Sequence, residues 1–116
     1  MSQFKIYHNP RCSKSRQTLA LLEENAVDLE VIEYLKTPPT VKELKQVIAL
    51  LKIEPLQLMR KNEDEYKQAG LDDKSLTKDQ QIALMVAYPK VIERPIVIGQ
   101  GKAAIGRPPE SVLEII

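Results

Sequence analysis

Along the first third of the chain the apolar positions change period twice. FKIY (4–7) puts Phe4 and Ile6 on one face of a short extended run, the two-residue period of a strand. Leu19, Leu22 and Ala26 then fall at helical spacing, which predicts a helix over 13–24 with Asn25 as its C-cap. LEVIEY (29–34) returns to alternation, Leu29 and Val31 against Ile32 and Tyr34, and reads as a second strand. Strand, helix and strand in this order predict two parallel strands joined by a right-handed crossover.

The middle of the chain is helical. In TPPTVKELKQVIALLK, Thr40 and Glu43 have the spacing of a capping box, and Val41, Leu44, Val47, Ile48 and Leu51 form one apolar stripe behind it. Pro55 opens a short helical turn ending near Arg60. Thr77 and Gln80 repeat the box before a helix that turns Ile82, Met85 and Val86 inward and stops at Pro89. The last third is β-rich: a strand through Ile98, a Gly99-Gln100-Gly101 turn, and a return strand through Ile105. Pro108 and Pro109 then start a terminal helix with Val112, Leu113 and Ile116 as its apolar face. The order β-α-β, helical insertion (roughly 38–89), β-β-α is that of the thioredoxin-like fold. The expectation is an α/β domain over 1–116, with a small mixed sheet flanked by helices.

Composition narrows the function. The chain has 116 residues and a formal net charge of +1, so there is no general electrostatic case for nucleic acid or an acidic membrane. Tryptophan is absent and aromatics make up 4%, too few for a base-stacking platform. No apolar run approaches a membrane span, and MSQFKIYHNP lacks the apolar core of a signal peptide. One cysteine cannot form an internal disulfide, which fits a reducing, cytoplasmic setting. A cytoplasmic monomer is expected.

That cysteine is Cys12, in YHNPRCSKSR, at the start of the first expected helix. First-turn N–H groups have no intrahelical partners and, with the helix dipole, favour negative charge there. Sites of this kind lower a thiol from about 8.5 to roughly 3.5–7.5. A lone cysteine is more commonly a buried packing residue. Here the flanking residues within three positions are polar or charged apart from Pro10, which favours a reactive thiol.

The neighbours exclude several chemistries. In CSKS the place of a resolving cysteine is taken by Ser15, so any intermediate on Cys12 must be resolved by an outside thiol. A tyrosine-phosphatase loop would need arginine six positions on, where Thr18 stands. One Cys and one His do not make a metal site. Asn9 and Pro10 are read as shaping the loop. Ser15 is open between donating to the thiolate and a solvated first-turn serine, and His8 between a structural hydrogen bond and tuning of Cys12. Lys14 and Arg11 are read as solvated, and Arg16 as structural or steering.

YHNPRCSKSR resembles the active-site segment of the glutaredoxin-linked arsenate reductase family. LMRKNE around Arg60 and ERPIVI…GRPPE around Arg94 and Arg107 extend the resemblance through the chain in the right order. The resemblance implies that Cys12 attacks arsenate, that Arg60, Arg94 and Arg107 hold the oxyanion, and that His8 favours the thiolate. It also implies a cis-proline at Pro95 beside the active site. It further implies reduction of arsenate to arsenite through a Cys12 thiol–arsenate adduct and a Cys12–glutathione mixed disulfide. Glutathione acts as cosubstrate, glutaredoxin as protein partner, and no bound cofactor or metal is needed. Guanidinium forks suit such a role, being always charged and bidentate toward tetrahedral oxyanions.

Two other readings share this architecture. A thioredoxin-fold regulator that binds RNA polymerase typically uses a Cys-x-x-Cys switch, which Ser15 removes. A general glutathione-dependent thiol transferase gains nothing from three arginines poised for an oxyanion.

Overall fold

The structure, a computed structural model, describes residues 3–116. The chain divides into two compact units, where the sequence points to one domain with an insertion. The first joins the described residues up to Thr37 with Arg94–Ile116, and the second is Pro38–Glu93.

The first unit is built on a four-stranded mixed sheet in the order β2-β1-β3-β4. β1 (Phe4–His8) lies parallel to β2 (Leu29–Glu33), with Ile6 opposite Val31. It is antiparallel to β3 (Ile96–Gly99), which pairs antiparallel with β4 (Lys102–Ile105). Between β1 and β2 runs α1 (Ser13–Glu24), the crossover that parallel strands require. The turn between β3 and β4 places both Gln100 and Gly101 at positive φ, the backbone of a two-residue hairpin whose twist matches its strands.

Phe4, Ile6, Leu22, Val97 and Val112 form the core, so α1 and the C-terminal segment pack on one face of the sheet. Several expectations are corrected on this face. Leu22 is fully buried, but Ala26 is exposed beyond the helix end at φ 56°, and the inward positions of α1 include Ser15 and Thr18. The terminal helix is a 3-10 helix, Pro109–Glu114, which turns Pro109 and Val112 inward. Leu113 and Ile116 face solvent because a three-residue turn carries them off the stripe that a 3.6-residue turn would form. Val31 pairs level with the core residue Ile6 and is nevertheless 47% exposed, because β2 is an edge strand. Tyr34, just past that strand, is buried.

In the second unit both capping boxes form. Thr40 Oγ1 accepts from the Glu43 N–H and Glu43 Oε1 from the Thr40 N–H, opening α2 (Val41–Leu51). Thr77 and Gln80 do the same for α4 (Lys78–Ala87). A short α3 (Asp64–Gln68), not expected from the sequence, begins with Asp64 and Glu65, acidic residues at the end of a helix that favours them. Pro55 opens a 3-10 helix, Pro55–Leu58, and Pro89 another, Pro89–Val91. The second unit runs to Glu93, and 91–93 is tied back to 58–60. Met59 bridges Ile92, the Arg60 N–H donates to the Val91 carbonyl at 2.6 Å, and the Glu93 N–H to the Leu58 carbonyl at 2.7 Å. Val91 and Ile92 therefore bury as part of this unit, and the strand expected across them begins only at Ile96.

Candidate active site

Cys12 is the N-cap of α1, with extended backbone (φ −94°, ψ 124°) and a half-buried side chain. Its carbonyl accepts the first intrahelical bond, from the Arg16 N–H at 3.0 Å. Its own N–H donates to the Asn9 carbonyl, also at 3.0 Å, which closes the turn before the helix. The sulfur therefore sits at the end of α1 where N–H groups lack intrahelical partners.

Asn9 holds this turn from three sides. Its N–H donates to Ser15 Oγ at 3.0 Å, its Oδ1 accepts from the Arg11 N–H at 3.0 Å, and its carbonyl takes Cys12. Arg16 adds a fourth tie, Nη1 to the Pro10 carbonyl at 2.9 Å. The structural reading of Arg16 thus has a specific object: it clamps the loop that bears the cysteine. Arg11 and Lys14 are exposed.

His8 and Ser15 meet each other rather than the sulfur. His8 Nδ1 lies 2.6 Å from Ser15 Oγ, both side chains being buried. The Ser15 hydroxyl, weighed above as a donor to the thiolate, is instead engaged by His8 and the Asn9 N–H. Burial of the imidazole is the main influence on its titration and holds it below the usual histidine range. Glu33 pulls the other way, and the nearby Arg16 guanidinium adds to the downward push. His8 is therefore neutral near pH 7, and its contribution to this site is a hydrogen bond rather than a positive charge.

The two ends of the β3–β4 hairpin bring two of the arginines. Arg94 is half-buried and immediately precedes Pro95, and the Arg94–Pro95 peptide is cis, as is Arg107–Pro108. Arg107 reaches from the end of β4, donating through Nε to the Arg94 carbonyl at 2.8 Å and through Nη2 to Cys12 Sγ at 3.5 Å. One guanidinium thus joins the cysteine to the β3 entrance, although 95 positions separate Arg107 from Cys12. Arg60 belongs to the second unit, where its guanidinium pairs with Glu63 at 2.6 Å and with Glu93 at 3.8 Å.

Two residues given no role from sequence support this arrangement. Thr18 is fully buried on α1, donating to the Lys14 carbonyl at 2.8 Å and contacting the Gly106 carbonyl at 3.5 Å. Gly106 donates to the Pro95 carbonyl at 2.9 Å, and a Cβ at this position would meet Thr18 Oγ1 at 2.5 Å and Pro95 Cγ at 2.7 Å. Only glycine lets the residue before Arg107 approach α1 and Pro95 so closely. The signal in the sequence was the glycine of GRPPE, but its contact partners lie far along the chain.

Among the described residues no group of three or more His, Cys, Asp or Glu side chains could hold a metal ion. No described helix is long and apolar enough to cross a membrane. The chemistry on offer is that of a thiol at a helix N-terminus with guanidinium donors beside it, an arrangement that can attract and attack an oxyanion.

Comparison with known proteins agrees with this chemistry. The ArsC family model matches residues 7–115. The chain is 54% identical to uncharacterized protein YfgD of Escherichia coli K12, over 98% of this chain and 97% of that protein. It is 44% identical to an arsenate reductase of Neisseria meningitidis, over the whole of both chains. The solved structure of an arsenate reductase from Vibrio cholerae superposes with a TM-score of 0.94 at 50% identity, covering 99% of this chain and 98% of that one. With its thioredoxin-like fold and its cysteine at the head of α1, the chain belongs to the ArsC family.

Proposed function

We propose that this protein reduces arsenate to arsenite with glutathione and glutaredoxin. The observation that carries the reading is the 3.5 Å contact of Arg107 Nη2 with Cys12 Sγ at the N-terminus of α1. Two anions, a thiolate and arsenate, have to meet at this point, and they repel unless positive charge lies between them. Arg107 is anchored through Nε and still offers donors at the sulfur, so it can hold the oxyanion over the nucleophile. Arg94 and Arg60 are the other arginines that the family resemblance assigns to the oxyanion.

In the first step the Cys12 sulfur forms a bond to arsenic(V) and one arsenic oxygen leaves as water. The guanidiniums of Arg107 and Arg94 stabilise negative charge that grows on the remaining oxygens, the kind of preorganised electrostatics that supplies the largest catalytic contribution in many enzymes. A glutathione thiol then replaces a second oxygen or attacks the Cys12 sulfur. Forming the sulfur–sulfur bond releases two electrons to arsenic, which departs as arsenite and leaves a Cys12–glutathione disulfide. The net change consumes two thiols and one arsenate and yields one disulfide, one arsenite and one water. A glutaredoxin thiolate takes the glutathionyl group and restores Cys12, a route that fits Ser15 standing where a resolving cysteine would be. A reducing cytoplasm supplies both thiols.

The test is NADPH oxidation coupled through glutathione reductase, glutathione and glutaredoxin, with and without arsenate, for the parent and Cys12→Ser. The expected result is an arsenate-dependent rate that the substitution abolishes. A parent rate that is the same with and without arsenate would exclude the reading. Turnover supported by thioredoxin alone, without glutathione, would replace the thiol route and leave the reductase standing.

A further inference from the structure

A cleft of about 270 Å³ opens on the side of the cysteine-bearing turn that faces the end of β2. Its walls are His8 at the end of β1, Arg11 from the turn, Glu33 at the end of β2, and Leu35 and Lys36 just after it. All lie in the first unit, and the turn is the one closed by the Cys12 N–H on the Asn9 carbonyl. The oxyanion chemistry described above uses none of Arg11, Glu33 or Lys36.

The charges in this cleft have a pattern. Glu33 and Lys36 sit 3.6 Å apart as an open, solvent-facing pair, and Arg11 adds a second cation to the lining. One carboxylate beside two cations is the complement of a group carrying one ammonium and carboxylate oxygens together, the zwitterionic head of an α-amino acid. A loose exposed ion pair contributes little in itself, so exchanging it for contacts with such a head costs little. Leu35 gives the cleft an apolar wall against which a short methylene chain can lie.

We infer that this cleft binds the γ-glutamyl head of a glutathione-type thiol, its ammonium on Glu33 and its carboxylate on Lys36 and Arg11. The inference rests on the proposed use of such a thiol and deepens it by giving the thiol a seat on the turn that carries Cys12. The volume accommodates an amino-acid head, with the cysteinyl portion left outside to reach the sulfur. It also separates the two substrates: arsenate lies on the arginines at the β3 side of Cys12, the thiol donor on the β2 side.

The experiment is a titration of the full chain with S-methylglutathione, which cannot exchange disulfides, followed by amide chemical shifts, and repeated for Lys36→Ala and Glu33→Gln. Shifts are expected at His8, Asn9 and Arg11 and at 33–36, with affinity weakened about 3–10-fold in each variant. S-methylcysteinylglycine, which lacks the γ-glutamyl head, should bind the parent about tenfold more weakly and should not distinguish the parent from Lys36→Ala. Shifts confined to residues around Pro95 and Gly106, or equal affinity of the parent and both variants, would overturn the assignment. Because no arsenate is present, binding at the cleft in a protein with no arsenate-dependent rate would uphold the cleft and sink the reductase reading. Arsenate turnover with no shifts at the cleft would do the reverse.

Discussion

Gly106→Ala tests the contact that joins α1, Pro95 and the strand leading to Arg107. The added Cβ would lie 2.5 Å from Thr18 Oγ1, 2.7 Å from Pro95 Cγ and 3.0 Å from Thr18 Cγ2. Neither neighbour can easily move. Thr18 is fully buried and tethered to the Lys14 carbonyl, and Pro95 is a ring at the start of a central strand. Overpacking of this kind costs about 1–3 kcal/mol, and the reduced freedom of the unfolded chain returns roughly 0.4–1. The net loss is then about 1–2 kcal/mol, a fall in Tm of roughly 4–8 °C for a chain of this size. Denaturant unfolding of the parent, Gly106→Ala, Thr18→Ala and the double variant gives a cycle. Removing the threonine side chain empties the space that the new methyl needs, so the double variant should be more stable than the sum of the single effects by about 0.5 kcal/mol or more. Parent-like stability of Gly106→Ala, or strict additivity in the cycle, would refute the reasoning. Because Arg107 is the next residue, arsenate-dependent turnover of Gly106→Ala should fall along with its stability.

Arg107→Ala removes the donor at Cys12 Sγ from an exposed position, so kcat/KM for arsenate should drop about 10²–10³-fold while stability changes by no more than about 0.5 kcal/mol, and Arg107→Lys should not restore the rate because a single ammonium cannot hold both the Arg94 carbonyl and the sulfur side. The lowered titration of His8 sets a pH dependence: below an unfolded value near 6.5 the unfolded chain takes up a proton that the native ring resists, so stability falls as pH drops through that value toward the lower native one. Denaturant midpoints at pH 7.5 and about 5.5 should therefore differ more for the parent than for His8→Gln. Thr40→Ala breaks the capping box of α2 and should cost about 0.5–2 kcal/mol in the same unfolding assay, with little change in Cys12 reactivity toward iodoacetamide.

What the sequence makes legible here is whatever depends on near neighbours. Thr40 and Glu43 are three positions apart, so the capping box needs no tertiary contact to be specified, and it forms as the spacing indicates. The same holds for the Gln100-Gly101 turn and for Cys12 at the head of α1, where polar flanks and a following helical period suffice. The errors fall where a distant partner decides the outcome. Val31 alternates correctly but lies on an edge strand, and strand order is not written in the alternation. Val91 and Ile92 have strand-like composition, yet they bury against the segment around Met59 through a single bridge, and the strand expected across them begins only at Ile96.

The site divides along the same line. Its residue types were readable because arginine, cysteine and histidine announce their chemistry, but their pairings were not. Ser15 is three positions from Cys12, close enough in sequence to suggest a donor to the thiolate, whereas the fold gives its hydroxyl to His8, seven positions back along the chain. That exchange changes the physics of the site. A neutral, buried His8 bonded to Ser15 fixes the first turn of α1 and, through Asn9, the loop before it, so the positive charge facing Cys12 is left to arginine. Arginine stays charged throughout the range in which a histidine titrates. Capture of the oxyanion is therefore expected to be insensitive to protonation of His8, while the shape of the turn that presents the nucleophile is not.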